Sequence, residues 1–443
     1  MSALQQFAYN VSNAYETQNS VAFEQLFTLN LYDPNTIMLR QQLSMYNGNN
    51  SFEPIISNVL EDQSFALAEF ANKYLYLLKH IQDDNPIVVF DYFEDFYSSL
   101  VPVFNGSDSA YQVMLVKNLS TALVTSAFTV DKSLQLKGKA QKANVAARLL
   151  SKIFNIMLAD RSGMESNKPS KRLGIYHITN LAFKVYFKLN TVRMCQTFIA
   201  NLRTGGVQLE QYPLSQQVTY RYYIGRYSLF QNRLRLAENH LQFAFEKCIS
   251  SQWHNKRLIL KYLIPTRILL GKFPLPQLLM KYQLQEPFGP LIAALKTGDH
   301  EGFMQHLEDY FDFFYGTSTY VLLKSRGPVL LWRCLLKKTH KYICEMENQQ
   351  VKSLSLERCQ VALQFALIKE LDLMDVESIL VSLISQRYIK GYLHHNLKVL
   401  VLSKVAPFPK LSDVHIYTEK YNEDAVKEYL ATIEESTGTG MME

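Results

Sequence analysis

Cysteine is scarce in this chain, and what there is of it is scattered. Cys195, Cys248, Cys334, Cys344 and Cys359 form no C-x-x-C pair. A chain of 443 residues has no need of covalent staples, so these read as buried, reduced thiols of an intracellular protein. No run approaches eighteen consecutive apolar residues, which argues against membrane insertion. The first twenty residues are polar and begin without a basic stretch, so no secretory signal is visible. Asn-x-Ser triplets such as that at Asn118 are therefore idle. The phosphate-cradling patterns G-x-G-x-x-G and G-x-x-x-x-G-K-[ST] are missing, as is the nucleophile elbow G-x-S-x-G. His300 and His306 stand six apart rather than at the i, i+4 spacing of a zinc helix. His394 and His395 are adjacent and cannot easily face one metal, and no carboxylate or cysteine lies near them in sequence. Nothing here points to catalysis, a metal or a cofactor.

What is present is an ordinary globular balance, 48% hydrophobic and 19% charged, in a length that suits two or three domains. Aromatics are abundant, with 27 Tyr and 26 Phe, and read first as filler between packed helices. Charge is unevenly spread. Residues 1–130 hold 4 basic and 13 acidic side chains, and residues 410–443 hold 3 and 8. The middle, 131–409, holds 39 basic against 19 acidic, a net of +20 within an overall net of +6. Such a body suits a polyanionic or acidic partner, unless the acidic ends fold over it.

The chain reads mostly as helices. Apolar residues recur at helical spacing along "FEPIISNVLEDQSFALAEFANKYLYLLKHI". A further helix is expected from Pro86, breaking near Pro102, with Asn105–Asp108 as the following turn. After "NVAARLLSKIFNIML" comes a polar loop, "ADRSGMESNKPSK". Then follow "RLGIYHITNLAFKVYFKLN", "TVRMCQTFIANLRTGG", "LSQQVTYRYYIGRYSLFQN", "RLRLAENHLQFAFEKCI" and "NKRLILKYLIPTRILLG". Helix pairs of about 35 to 40 residues point to a TPR-like solenoid, whose curved surface favours scaffolding. The aromatic cluster Tyr310, Phe311, Phe313, Phe314 and Tyr315 fits a joint between solenoid and terminal domain.

The last hundred residues differ. Helices are expected over "PVLLWRCLLKKTHKYICEM", "LSLERCQVALQFAL" with Ser355 as N-cap, and "DVESILVSLISQ" with Asp375 as cap. "SQRYIKGYLHHNLKVLVLS" then reads as two strands with a tight polar turn. Three helices and a hairpin is the winged-helix order. The fold expected is all-α, a helical solenoid ending in a winged helix with a small β-hairpin wing. The division expected is 1–165 N-terminal repeats, 166–320 TPR-like part, 321–409 winged helix and 410–443 acidic tail.

A solenoid running into a winged helix resembles the PCI domain, shared by subunits of the proteasome lid, the COP9 signalosome and translation initiation factor three. The resemblance covers roughly residues 170–410, and "VESILVSLISQRYIKGYLHHNLKVLVLSK" is close to the PCI signature. "KRLGIYHITNLAFKVYFKLNTVRMCQTFI", "RYYIGRYSLFQNRLRLAENHLQFAFEKC" and "SKVAPFPKLSD" resemble one branch of that family. This branch holds the PCI subunit of the nuclear transcription-and-mRNA-export complex, TREX-two, and its paralogue, COP9 signalosome subunit twelve. The resemblance implies a non-enzymatic scaffold in the nucleus, at the nuclear envelope or pore. It implies pairing with a larger PCI-like subunit and binding of a small acidic DSS/Sem-type protein along the helical part. It also implies a basic winged-helix face for RNA or DNA. The alternative is a signalosome-like scaffold with no nucleic-acid role.

Two basic groups match these expectations. Arg221, Arg226, Arg233, Arg235, Lys256, Arg257 and Lys261 lie in a stretch, 221–272, whose only acids are Glu238 and Glu246. They are candidates for contact with the acidic partner, against the plainer reading of a solvated helix face. Arg333, Lys337, Lys338, Lys341, Arg387, Lys390, Lys398 and Lys404 are candidates for nucleic acid. The third helix opens acidic and carries no Arg or Asn to read base edges. Phosphate contact without sequence specificity is therefore the expectation.

Overall fold

Helix starts in the N-terminal region are set by side-chain oxygens. Ser2 and Gln5 form a reciprocal capping box, and Asn19, Asp33, Ser64 and Asn85 each accept a backbone N–H at a helix N-terminus. A computed structural model describes residues 2–46, 51–162, 169–367 and 369–414. It divides into two compact units, Met1–Tyr223 and Ile224–Glu443, the division falling inside the helix Leu214–Phe230. Of the expected boundaries, 165 lies within the first unit and 320 within the second, at the start of the helix Tyr320–Met346. Most of the expected 410–443 tail, from 415 onward, and positions 163–168 of the expected polar loop lie outside the described residues.

The first unit is a stack of antiparallel helices around an aromatic core. Phe7, Phe23, Phe27, Phe70, Tyr74 and Phe96 are buried, with ring centroids 4.5 Å apart for Phe27–Phe70 and 4.9 Å for Phe70–Phe96. Each such pair contributes about 1 kcal/mol beyond the area it buries. The aromatics are thus packing residues here, as expected. One helix, Pro86–Asn105, runs through Pro102 instead of breaking there. Pro102 stands in its last turn, where the bond it cannot donate to the Ser98 carbonyl is lost close to the helix end, and the helix is capped at Gly106. The helix Val113–Ser133, with the turn from Ser109, is long and apolar enough to cross a membrane by length and composition. Half of it is buried, packed against Pro86–Asn105 and Lys142–Ala159, as in the core helix of a stack.

In the second unit the aromatic cluster at 310–315 packs as the expected joint. Phe313 and Phe314 lie 5.8 and 5.7 Å from Phe288 of the helix Gln285–Thr297. Phe311 lies 4.8 Å from Tyr320, the first residue of Tyr320–Met346. That helix is followed by β1 (Ser353–Ser355), the helices Leu356–Leu367 and Leu373–Ser385, β2 (Gly391–His394) and β3 (Val399–Leu402). The strands pair antiparallel in the order β1-β3-β2, with Ser353 opposite Val401 and Gly391 opposite Leu402. β3 alternates as its sequence requires, with Leu400 and Leu402 buried and Val399 and Val401 half-buried. Leu354, Leu356, Cys359, Leu363, Val376, Leu380, Leu383 and Leu400 make the core under the sheet, all fully buried.

Two details differ from expectation. The wing is not a lone hairpin, because β1 adds a third strand just ahead of the second helix. Ser355 both ends β1 and caps that helix, its Oγ accepting from Arg358 N at 3.3 Å. The cap of the third helix is Asp372, not Asp375. Asp375 is the third helical residue, returning a bond to Asp372 N while Asp372 accepts from Asp375 N at 2.7 Å. Two acids three residues apart serve equally in sequence, and the backbone chose the earlier.

Candidate nucleic-acid and partner interface

The wing is built outward from the third helix. After Ser385 the chain turns through Arg387, whose φ of 64° is left-handed, and Tyr388 and Ile389 are buried. Lys390 is tied by backbone alone. Its N–H donates to Pro407 O at 2.8 Å and its carbonyl accepts from Ser403 N at 2.9 Å. At Gly391 a Cβ would sit 2.2 Å from Val401 O, so only glycine lets β2 approach β3 this closely. The tip is a four-residue turn, His395–Lys398, with Lys398 at φ 50° and its N–H on His395 O at 3.1 Å. His395 Nδ1 lies 2.9 and 3.0 Å from the two carboxylate oxygens of Glu377 on the third helix. Glu377, eighteen residues earlier in sequence, thus braces the wing. Sequence inspection missed it, since nothing local links the two positions.

On this frame Arg387, Lys390, Lys398 and Lys404 are all exposed, and none makes an ion pair among the described residues. Lys337, Lys338 and Lys341 are also exposed, on the helix Tyr320–Met346. Lys341 faces Glu345 at 3.5 Å and Lys338 donates to Thr297 O at 3.2 Å. Arg333 is the exception. It is only 7% exposed and its guanidinium donates to the carbonyl of Pro409, so it anchors the segment after the wing rather than facing a phosphate. In that segment Phe408 packs 5.7 Å from His340.

The other basic group is woven into the helices. Arg221, in the first unit, lies 3.5 Å from Glu210. Arg226 stacks over Tyr262 at 4.5 Å. Arg235 donates to Ser412 O and Val414 O at 2.6 and 3.1 Å, and Arg233 stands half-buried at the start of the helix Leu234–Lys247. Lys256 donates to Phe245 O at 2.9 Å and Arg257 to Tyr282 O at 2.9 Å. Lys261 lies 5.4 Å from the Phe313 ring, and burial together with Arg257 pushes its ammonium pKa down. These cations cap helix-end carbonyls and cover aromatic faces. The buried Glu238 is shared by Arg267 at 3.1 Å and Lys272 at 2.7 Å.

An apolar groove of about 620 Å³ lies between the helices Tyr320–Met346 and Leu356–Leu367. Tyr342, Met346 and Val361 line it and are 62%, 69% and 67% exposed; Phe365, one turn beyond Val361, is 87% exposed. Among the described residues no group of three metal-ligating side chains occurs. His306 instead bonds Pro287 O at 3.0 Å. Among the described residues no cysteine is in a disulfide; Cys195, Cys248 and Cys359 are buried, Cys334 and Cys344 half-buried. Burial pushes the Cys359 thiol up to about 12.

No protein-family model matches the chain. A PCI domain-containing protein of Schizosaccharomyces pombe is 33% identical over 419 residues, spanning 92% of this chain and 94% of that one. The chain belongs to the PCI-domain family. Like this relative, Enhanced ethylene response protein 5 of Arabidopsis thaliana aligns over most of its length, 29% identical over 90% of this chain and 94% of its own. PCI domain-containing protein 2 of Xenopus laevis is 34% identical over 64% of this chain and 69% of its own. This PCI protein is a helical scaffold protein with a C-terminal winged helix.

Proposed function

We propose that this PCI protein is a scaffold subunit of a nuclear mRNA-export complex of the TREX-two type, acting at the nuclear envelope or pore. Its winged helix pairs with a larger PCI-like subunit, its helical part takes a small acidic DSS/Sem-type protein, and its wing contacts nucleic acid. One observation carries the nucleic-acid part. Arg387, Lys390, Lys398 and Lys404 are exposed and free of ion pairs among the described residues, on a hairpin braced to the third helix. Such cations, with no Arg or Asn on that helix to read base edges, suit phosphate contact without sequence preference. The groove beside Tyr342, Met346 and Val361 supports a protein partner on the same domain, since helix anchors at i, i+4 spacing fill such grooves. That groove equally favours the second reading, a COP9 signalosome-like scaffold with protein contacts alone.

Fluorescence anisotropy separates the two. The chain assembled with its large PCI partner is titrated against RNA and DNA over a salt series, with and without Lys390→Glu, Lys398→Glu and Lys404→Glu. The export reading expects binding that falls steeply with salt and weakens about tenfold or more on reversal. Binding that is absent, or indifferent to reversal, leaves the signalosome-like scaffold.

A further inference from the structure

A further basic stretch of the chain belongs to neither group described above. Residues 132–209 hold fourteen Lys and Arg against two acids, Asp160 and Glu165. Several of these cations are consumed inside the first unit. Lys142 pairs with Asp91 at 2.7 Å and Arg148 with Glu94 at 2.9 Å, while Lys171 and Arg172 donate to backbone carbonyls. Six of the others, Lys132, Lys137, Lys139, Lys184, Lys188 and Arg193, lie at the ends of two neighbouring helices and in the loops that follow them.

The geometry that gathers them is a parallel pairing. His177 Nε2 lies 2.9 Å from Thr121 Oγ1, and Lys184 Nζ lies 5.7 Å from the Phe128 ring. Both pairs are 56 residues apart, so the helices Ile175–Lys188 and Val113–Ser133 run side by side in the same direction. One turn further, the same offset sets Lys188 alongside Lys132. The loops leaving the two helices therefore open on the same end. One carries Lys137 and Lys139, the other Arg193, and all six cations are exposed. The first loop is held in shape: Leu136 N donates to Asp131 O at 3.0 Å and Asn144 Nδ2 to Gly138 O at 2.9 Å. The one acid at its root, Asp131, is buried and spent on the N–H groups of Lys142 and Ala143 at 2.6 and 3.1 Å.

We infer that this end of the first unit is a second phosphate-binding surface, which takes the backbone of a nucleic acid independently of the wing. Hydrated lysine point charges on a fixed loop suit a run of equivalent phosphates. An acidic polypeptide would also need apolar slots. Here only Leu134 and Met194 show substantial apolar surface, and the Phe128 ring lies beneath Lys184.

The test uses the full chain and a labelled oligouridylate, followed by anisotropy across a salt series bracketing physiological ionic strength. One variant carries Lys132→Gln, Lys137→Gln and Lys139→Gln, a second Lys184→Gln and Lys188→Gln, and a third the wing substitutions. These side chains are exposed, and circular dichroism checks that each variant folds. The loop variant is expected to bind roughly five- to tenfold more weakly, with a log–log salt slope shallower by about 2, since each phosphate contact with a single strand contributes about 0.7. Unchanged affinity and slope in both the loop variant and the Lys184/Lys188 variant overturns the inference. Loss in the wing variant alone overturns it too, while leaving the proposed function standing; loss in the loop variant alone does the reverse. If the loop variant loses affinity for polyglutamate but not for RNA, the surface serves an acidic polypeptide and the inference fails.

Discussion

His177 shows how a single side chain records its surroundings. It sits half-buried between two helices, with Nε2 3.2 Å from Lys117 O and 2.9 Å from Thr121 Oγ1. Burial first, and then the Lys117 charge, hold its imidazole below the ordinary 6.5, although the bond to Lys117 O pulls the other way. The fold therefore prefers the neutral ring. Its contribution is fully present above 6.5 and is lost as pH falls through the lowered folded value, because the unfolded chain takes the proton first. Urea midpoints for wild type and His177→Gln, compared at about pH 7.5 and about pH 5, should show a smaller loss on acidification in the variant. Equal losses would show that this ring does not couple folding to pH. Nothing in "IYHITN" announces this role, because both partners come from a helix over fifty residues earlier. Arg333 is a similar case: in sequence it is one more cation of a basic helix, and only its burial assigns it to Pro409.

Among the elements, the wing was the most legible and also the most incompletely read. Alternation in "KVLVLSK" gave β3, and the glycine after Lys390 marked where the partner strand begins. The third strand, β1, has three residues and no period to detect. It exists because the chain entering the second helix passes beside β3, where Leu354 can be buried opposite Leu400. Close approach makes Gly391 testable. Gly391→Ala should destabilise the chain by about 1–3 kcal/mol, against a near-neutral Gly316→Ala, whose added methyl meets no atom within 4 Å. Denaturant unfolding measures both. A Gly391→Ala effect no larger than the control would mean that β2 can move away from β3 at little cost. The Pro102 misreading has the opposite lesson. Proline predicts a break from local sterics, yet the burial of Leu100, Val103 and Phe104 holds the final turn in place.

For the whole molecule, charge location matters more than net charge. The +6 total hides a negative N-terminal third and a strongly positive middle. Retention on heparin should follow location. Lys390→Gln with Lys398→Gln should lower the eluting salt concentration clearly, whereas Lys73→Gln with Lys117→Gln, equal in net-charge change, should barely move it. Equal shifts for the two pairs would mean that only total charge is sensed. The sequence by itself determined the helical period, the winged-helix order, the family and the uneven charge, because all of these are written in local spacing and composition. Only the tertiary structure decided which cations remain available. Arg235, Lys256 and Arg257 are drawn onto backbone carbonyls, while the wing lysines and the Lys132–Lys139 loop stay in water. The physical reason is that a cation's partner is set by which helix ends and rings the fold brings within about 3 to 6 Å, and sequence separation carries no such distance.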